Sequence, residues 1–241
     1  MIAIGTMKLA GEFDGLKLYK KGRKSFLDVI NKSIDMGINN IDTAPLYALG
    51  LAELYIGEIL KNNEVNVWTK VGVDIESKPL PFRDYSYRGL KLSLKGSLNR
   101  LGTDKVDKVF IHNPQAKDLA NKDIGFFCDW VLENELANYI GVSIYRLSNI
   151  DAILKNKLIT DVMIELSEVD KYPNELLKSK RIIVRSVFDG GFTLKEKKEK
   201  LRKEYISKMI GEISELKFHR IIISPRTVQQ LEDYIDLPAY N

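Results

Sequence analysis

The stretch Asn39-Asn40-Ile41-Asp42-Thr43 is too short for a helix and lies between two helical patterns. Before it, Phe26, Val29, Ile30 and Ile34 recur three or four residues apart; after it, Leu51, Leu54, Tyr55 and Ile59 do the same. Each set makes one apolar stripe along a helix. Gly37 falls where the first helix would stop. The next short apolar run, Asn66 to Val71, follows the second helix. Residues 26 to 71 therefore read as helix, strand, helix, strand.

The alternation continues outward. The strand candidates are Ile2–Leu9, Asn39–Thr43, Asn66–Val71, Val106–His112, Tyr139–Ser143, Asp161–Leu166, Arg181–Val187 and Arg220–Ser224. They are rich in Ile and Val, and several are nearly all apolar, as strands buried on both faces should be. A further helical stripe runs through Leu201, Tyr205, Met209 and Ile213, and Gly102 closes a helix just before the strand at Val106. Such strict order predicts parallel strands joined by right-handed crossovers. Eight units of this kind close into a (β/α)8 TIM barrel of the α/β class, expected as one domain over residues 1–241. The rival, an open doubly wound sheet, usually has about five to seven strands and a Gly-rich first turn. No G-x-G-x-x-G follows the first strand here. The longest irregular piece runs from about Gly72 to Tyr87 and holds Pro79, Pro81 and several aromatics.

Composition narrows the function classes. Hydrophobic residues make up 44% of the chain and charged residues 29%, enough for a sizeable core under a solvated surface. The net charge of +4 is a mild excess, which argues against a nucleic-acid partner. The densest basic run, Lys195 to Lys203, is interleaved with Glu196 and Glu199 and reads as a solvated helix face. The single cysteine, Cys128, forms no disulfide within the chain and reads as a buried helix residue, not a nucleophile. The first residues lack a leader pattern, and no apolar run approaches the ~20 residues of a membrane span. The expectation is a cytoplasmic protein with no membrane partner and no metal, a monomer or weak homodimer.

Barrel active sites form at the C-terminal ends of the strands. The second strand ends in Ile41-Asp42-Thr43-Ala44 with Tyr47 soon after, the third in Trp68-Thr69-Lys70, and the fourth in Phe110-Ile111-His112-Asn113-Pro114. Reducing a carbonyl needs hydride at carbon and a proton at oxygen. Tyr47 can supply the proton, and an ammonium at Lys70 is expected to lower its pKa from the usual ~10. Asp42 would hold that ammonium, and a neutral imidazole at His112 would orient the carbonyl oxygen. Taken singly, Asp42 also reads as a helix cap, Tyr47 as packing, Lys70 as a solvated lysine and His112 as structural. Their joint occurrence at successive strand ends is what points to chemistry. The other histidine, His219, precedes the last strand at the opposite face and receives no role.

At these residues the sequence resembles the aldo-keto reductases. The likeness covers Gly5-Thr6-Met7, Asp42-Thr43-Ala44-x-x-Tyr47 with Glu53 and Gly57, Thr69-Lys70, and Ser97-Leu98-x-Arg100-Leu101-Gly102-Thr103-Asp104. It continues through Ile111-His112-Asn113-Pro114 and Tyr139-Ile140-Gly141-Val142-Ser143. The later strands, Gly141 to Tyr145 and Arg185-Ser186-Val187-Phe188 with Gly191, are similar to a branch found near bacterial surface-sugar genes. The resemblance implies a (β/α)8 barrel, a tetrad of Asp42, Tyr47, Lys70 and His112, and NADP as cofactor with NAD as the alternative. It implies that Ser143 lies near the nicotinamide carboxamide and that Arg185 and Ser186 flank the ring and pyrophosphate. Ser224, Arg226 and Gln230 fall in the family's nucleotide motif at the start of the last helix. A helix start independently offers N–H groups and a positive dipole end to phosphate, and Arg226 adds a bidentate donor; Thr227 also reads as a simple cap there.

Several positions depart from the family pattern. Ile144 replaces the common Asn, the sixth strand carries Glu165 and no glutamine, and Ser224 stands where glycine is common. The chain also stops soon after its last helix, which predicts an open pocket suited to a sugar, a keto-sugar derivative or a small aldehyde. Phe82, Tyr85 and Tyr87 either line that pocket or pack their own loop. The alternatives to a carbonyl reductase are a silent barrel that binds a nucleotide or protein partner, and a barrel isomerase or lyase that binds no nicotinamide.

Overall fold

The computed structural model describes residues 2–14, 17–20, 22–76, 82–145, 150–187 and 218–235. Eight parallel strands close into a barrel: β1 (Ile2–Gly5), β2 (Asn40–Asp42), β3 (Asn66–Val71), β4 (Val106–His112), β5 (Ala137–Ser143), β6 (Ile159–Glu165), β7 (Arg181–Arg185) and β8 (Arg220–Ile223). Each pairs with its sequence neighbours, and β1 closes the ring against β8, with Ile4 opposite Ile223. The open-sheet rival is thereby removed.

The helices follow from their apolar stripes and their ends. In α1 (Arg23–Asp35) Phe26, Val29 and Ile30 are buried, and Gly37, at φ 79°, turns the chain out of the helix. Within α2 (Leu51–Leu60) the buried face differs from the expected one: Ala52, Glu53, Ile56 and Ile59 point inward while Leu54 is exposed. Further on, α3 (Tyr87–Leu101) starts at Ser86, whose hydroxyl accepts from Gly89 N–H at 3.1 Å, and ends at Gly102 with φ 64°. In α4 (Lys122–Glu133) Cys128 is buried and its thiol is pushed up to about 12, chiefly by that burial, which agrees with the packing role. Shorter helices include α5 (Ile150–Lys155) and α6 (Asn174–Ser179), and α7 (Val228–Ile235) is the last described helix. The stripe from Leu201 to Ile213, the run Lys195 to Lys203, and Phe188 and Gly191 lie outside the described residues.

Two strand ends differ from expectation for local reasons. β1 stops at Gly5 because its ladder with β2 runs out at Asp42; Thr6 then donates through both N–H and Oγ1 to the Asp42 carbonyl, and Met7–Ala10 makes one helical turn. β7 stops at Arg185 because Ser186 adopts a left-handed φ of 60°.

Alternate residues of the strands form three levels inside the barrel. The middle level is apolar: Ala3, Trp68, Phe110, Met163, Ile183 and Ile222 make one buried cluster, separate from the larger one between sheet and helices. Burying each large side chain of this kind contributes about 1.5–3 kcal/mol. Gly141 belongs to this level because a Cβ there would strike the Phe110 ring. Two residues earlier on each strand lies a charged floor. Lys108 Nζ pairs with Asp161 Oδ1 at 3.1 Å, and Arg181 Nη2 takes Asp161 Oδ2 at 2.5 Å. Both cations lie over the Tyr139 ring, at 4.2 and 3.9 Å. Two residues later on each strand stands the rim.

Candidate active site

The period of two brings Asp42, Lys70, His112, Ser143 and Arg185 to the same rim from five strands. They line one cavity of about 240 Å³. The same lining holds the other sequence-selected residues: Tyr47 from the loop after β2, Ser186 after β7, Ser224 after β8, Arg226, and Gln230 in α7. All ten therefore meet at one place.

Lys70 is the hub. Its Nζ lies 2.6 Å from Asp42 Oδ1 and donates to the Thr43 carbonyl at 2.8 Å, with 1% of the side chain exposed. The same Nζ stands 4.7 Å from the centroid of the Tyr47 ring. Burial pushes the Asp42 carboxyl up and the Lys70 amine down, and each pulls the other back toward its charged form. The Asp42 carboxylate also acts on the Tyr47 hydroxyl. The tyrosine stays partly exposed to the cavity, yet desolvation and then the Asp42 charge raise its pKa well above 10.0. The net direction is thus opposite to the expected lowering: a proximity argument from sequence omits the cost of removing a phenolate from water.

His112 is buried at the end of β4. Desolvation, followed by the charges of Lys70, Arg83 and Arg185, holds its imidazole well below 6.5, so it is neutral at physiological pH. Nδ1 of that ring is buried with no hydrogen-bond partner.

Arg185 reaches the rim between two supports. Its Nη1 pairs with Glu165 Oε1 at 2.8 Å, and the guanidinium stacks on the Tyr145 ring at 3.9 Å. Glu165, which replaces the glutamine expected on the sixth strand, thus anchors an arginine. At the start of α7, Thr227 Oγ1 accepts from Gln230 N–H at 3.2 Å and Gln230 Oε1 accepts from Arg226 N–H at 2.8 Å. Thr227 thus caps the helix, while Arg226 and Gln230 beside it line the cavity.

Behind Lys70, the buried carboxylate of Glu53 accepts from Thr69 Oγ1 at 2.6 Å and from Arg100 Nε at 2.7 Å. Immediately after Tyr47 the backbone is strained: Ala48 and Leu49 take φ values of 52° and 53°, ahead of Gly50 at 85°. Left-handed non-glycine residues cost about 1–2 kcal/mol each. Phe82, Tyr85 and Tyr87 are absent from the cavity lining; Tyr85 is buried in its own loop.

The family model of the aldo/keto reductases matches residues 1–209. This chain belongs to the aldo/keto reductase family. Over 180 residues it is 28% identical to the uncharacterized oxidoreductase YqkF of Bacillus subtilis, covering 73% of this chain and 55% of that protein. Over 115 residues it is 31% identical to a D-threo-aldose 1-dehydrogenase of a Pseudomonas species, covering 38% and 34%. The chain thus spans about half or less of the length of these curated relatives. Among solved structures it is similar to the holo form of aldo-keto reductase AKR11C1 from Bacillus halodurans, with a TM-score of 0.81 at 20% identity over 98% of this chain and 85% of that one.

This aldo/keto reductase also lines its cavity with residues that the sequence reading did not assign. Lys8, Tyr145, Asp233 and Tyr234 are among them. Tyr145 closes the Gly141 to Tyr145 motif and was open to detection; Lys8 sits on a helical turn that the sequence reads as strand. Among the described residues no helix is long and apolar enough to cross a membrane, and no cluster of metal-ligating side chains occurs.

Proposed function

We propose that this chain reduces an aldehyde or ketone to an alcohol with a nicotinamide cofactor, NADP being expected and NAD the alternative. The observation that carries the reading is the position of Lys70, 2.6 Å from Asp42 and 4.7 Å from the Tyr47 ring, in a cavity that His112 also lines. The residues fit the cofactor chemically. Ser143 and Ser186 offer hydroxyls beside the tetrad, Arg185 a guanidinium, and Ser224, Arg226 and Gln230 a donor set at a helix start. When bound, the nicotinamide supplies hydride to the carbonyl carbon.

The chain's own residues handle the oxygen. Neutral His112 donates a hydrogen bond that orients the carbonyl. Tyr47 carries its proton at neutral pH and gives it to the alkoxide that forms in the site. The ammonium of Lys70 then stabilises the phenolate left behind, and Asp42 keeps that ammonium charged and in place. Solvent returns the proton to Tyr47.

The sugar-like substrate class rests on the resemblance of the later strands and on the relative named for a D-threo-aldose. A silent, nucleotide-binding barrel is the second reading, favoured by Glu165 at the glutamine position. One experiment separates the two: NADPH and NADH are titrated against the fluorescence of Trp68 and Trp130, then cofactor absorbance is followed with a panel of aldehydes and keto-sugars. Binding with turnover that Tyr47→Phe abolishes supports the reductase. Binding without turnover on the whole panel supports the silent barrel, and absence of binding refutes both.

A further inference from the structure

The His112 imidazole has no hydrogen bond at Nδ1, so its direction depends on the backbone that carries it. A small hairpin grips that backbone from outside the cavity. Gly72 leaves β3 with φ 93°, and a Cβ there would lie 2.5 Å from Cε1 of Tyr85. The chain returns with Phe82–Arg83 antiparallel to Val73–Asp74, and Asp84 N–H donates to the Gly72 carbonyl at 3.2 Å. This buries the Tyr85 ring and aims its hydroxyl at the end of β4. Tyr85 Oη lies 2.7 Å from the His112 carbonyl and 3.0 Å from that of Asn113, with one proton shared between them. Arg83 Nη1 donates into the same three oxygens, 2.9 Å from Tyr85 Oη, 3.2 Å from the His112 carbonyl and 3.1 Å from the Asn113 carbonyl.

The gripped turn is not one that relaxes into place by itself. Asn113 has a left-handed φ of 53°, and its Oδ1 is buried without a partner. Its N–H donates to the Ser143 carbonyl at 2.8 Å, which fixes one side of the turn. Tyr85 and Arg83 fix the other.

We propose that Tyr85 and Arg83 are positioning residues: by clamping the carbonyls of His112 and Asn113, they set the direction in which the imidazole enters the cavity. This rests on the reading of His112 as the group that orients the substrate carbonyl. Arg83 adds a charge on the hairpin side, Lys70 faces the imidazole from β3 and Arg185 from β7. Neither clamp residue lines the cavity, so they reach it through the turn that carries His112.

The test compares wild type with Tyr85→Phe, Arg83→Met and Arg83→Lys. His112 and His219 are the two histidines of the chain, so their imidazole nitrogens are readily assigned by NMR. In Tyr85→Phe and Arg83→Met the His112 resonances should move while those of His219 stay. Turnover of 4-nitrobenzaldehyde with NADPH should fall about tenfold to a hundredfold in kcat, as small misplacements of a catalytic group do. KM for the aldehyde and the NADPH dissociation constant should change by less than about twofold. Arg83→Lys, which keeps a donor and the charge, should recover most of the loss. His112 resonances that coincide with wild type in both variants overturn the proposal, even where the variants melt earlier or turn over more slowly. If Tyr85→Phe does not fold, Arg83→Met decides. If the wild type reduces no carbonyl, the reductase reading fails, while the movement of the His112 resonances still decides the clamp.

Discussion

Two lysines of this barrel keep the same company. At the rim, Lys70 pairs with Asp42 at 2.6 Å and lies 4.7 Å from the Tyr47 ring. At the floor, Lys108 pairs with Asp161 at 3.1 Å and lies 4.2 Å from the Tyr139 ring. The residue types and distances are nearly the same, so they cannot be what separates a reactive set from an inert one. The surroundings differ. Arg181 takes the second oxygen of Asp161 and stacks on Tyr139, so two cations hold the floor carboxylate. At the rim the aspartate and the tyrosine both border a cavity. What sets the rim apart is the cavity that its tyrosine borders.

Removing one hydroxyl from each set tests that contrast most sharply. Tyr47→Phe should lower kcat by about a hundredfold to ten-thousandfold, the usual worth of a positioned general acid, with nucleotide affinity retained. Tyr139→Phe should leave kcat within about twofold in the same assay. Equal losses would show that rim and floor are not functionally distinct.

A carboxylate deletion sharpens it from the other side. Asp161→Ala leaves buried Lys108 with only the more distant Asp107 at 4.0 Å and takes the carboxylate from Arg181, and should cost about 3–5 kcal/mol in urea unfolding. Turnover measured well below the unfolding transition should be unchanged. The strained turn beside Tyr47 gives a smaller effect. Ala48→Gly relieves about 1–2 kcal/mol of left-handed strain and gives up about 0.8 kcal/mol of methyl burial. Its net effect is a gain of up to about 1 kcal/mol in stability, with a lower kcat because Tyr47 is held less firmly.

The smallest effect is electrostatic. Burial, then the Arg220 and Lys108 charges, hold His219 at about 4 against 6.5 for a free imidazole. Between those values the unfolded chain binds more protons than the folded one. The stability present above pH 6.5 is therefore lost as pH falls toward 4. His219→Gln should flatten the fall of Tm between pH 7 and pH 5.

Much of this was legible in the sequence because parallel strands buried on both faces are nearly continuous apolar runs. Asn66–Val71 and Val106–His112 have the boundaries their runs suggest. The meeting of Asp42, Lys70 and His112 at one rim was legible because they occupy consecutive strand ends. What escaped depends on partners far along the chain. The stripe through Leu54 misplaces the buried face of α2, because Glu53 is drawn inward by Thr69 and by Arg100, 47 residues away. The direction of the Tyr47 pKa escaped because desolvation depends on packing and not on spacing. The role of Tyr85 escaped because its hydroxyl reaches a backbone carbonyl, which leaves no trace in residue type.

The three interior levels repeat along every long strand with a step of two residues: sealing at the bottom, filling in the middle, reacting at the top. Position along a strand is thus an address for a task, and the tasks are insulated from one another by a layer of hydrocarbon. A library confined to the uppermost address at residues 112, 143 and 224 would vary the cavity wall while the buried Lys70–Asp42 pair and the scaffold beneath stayed as they are.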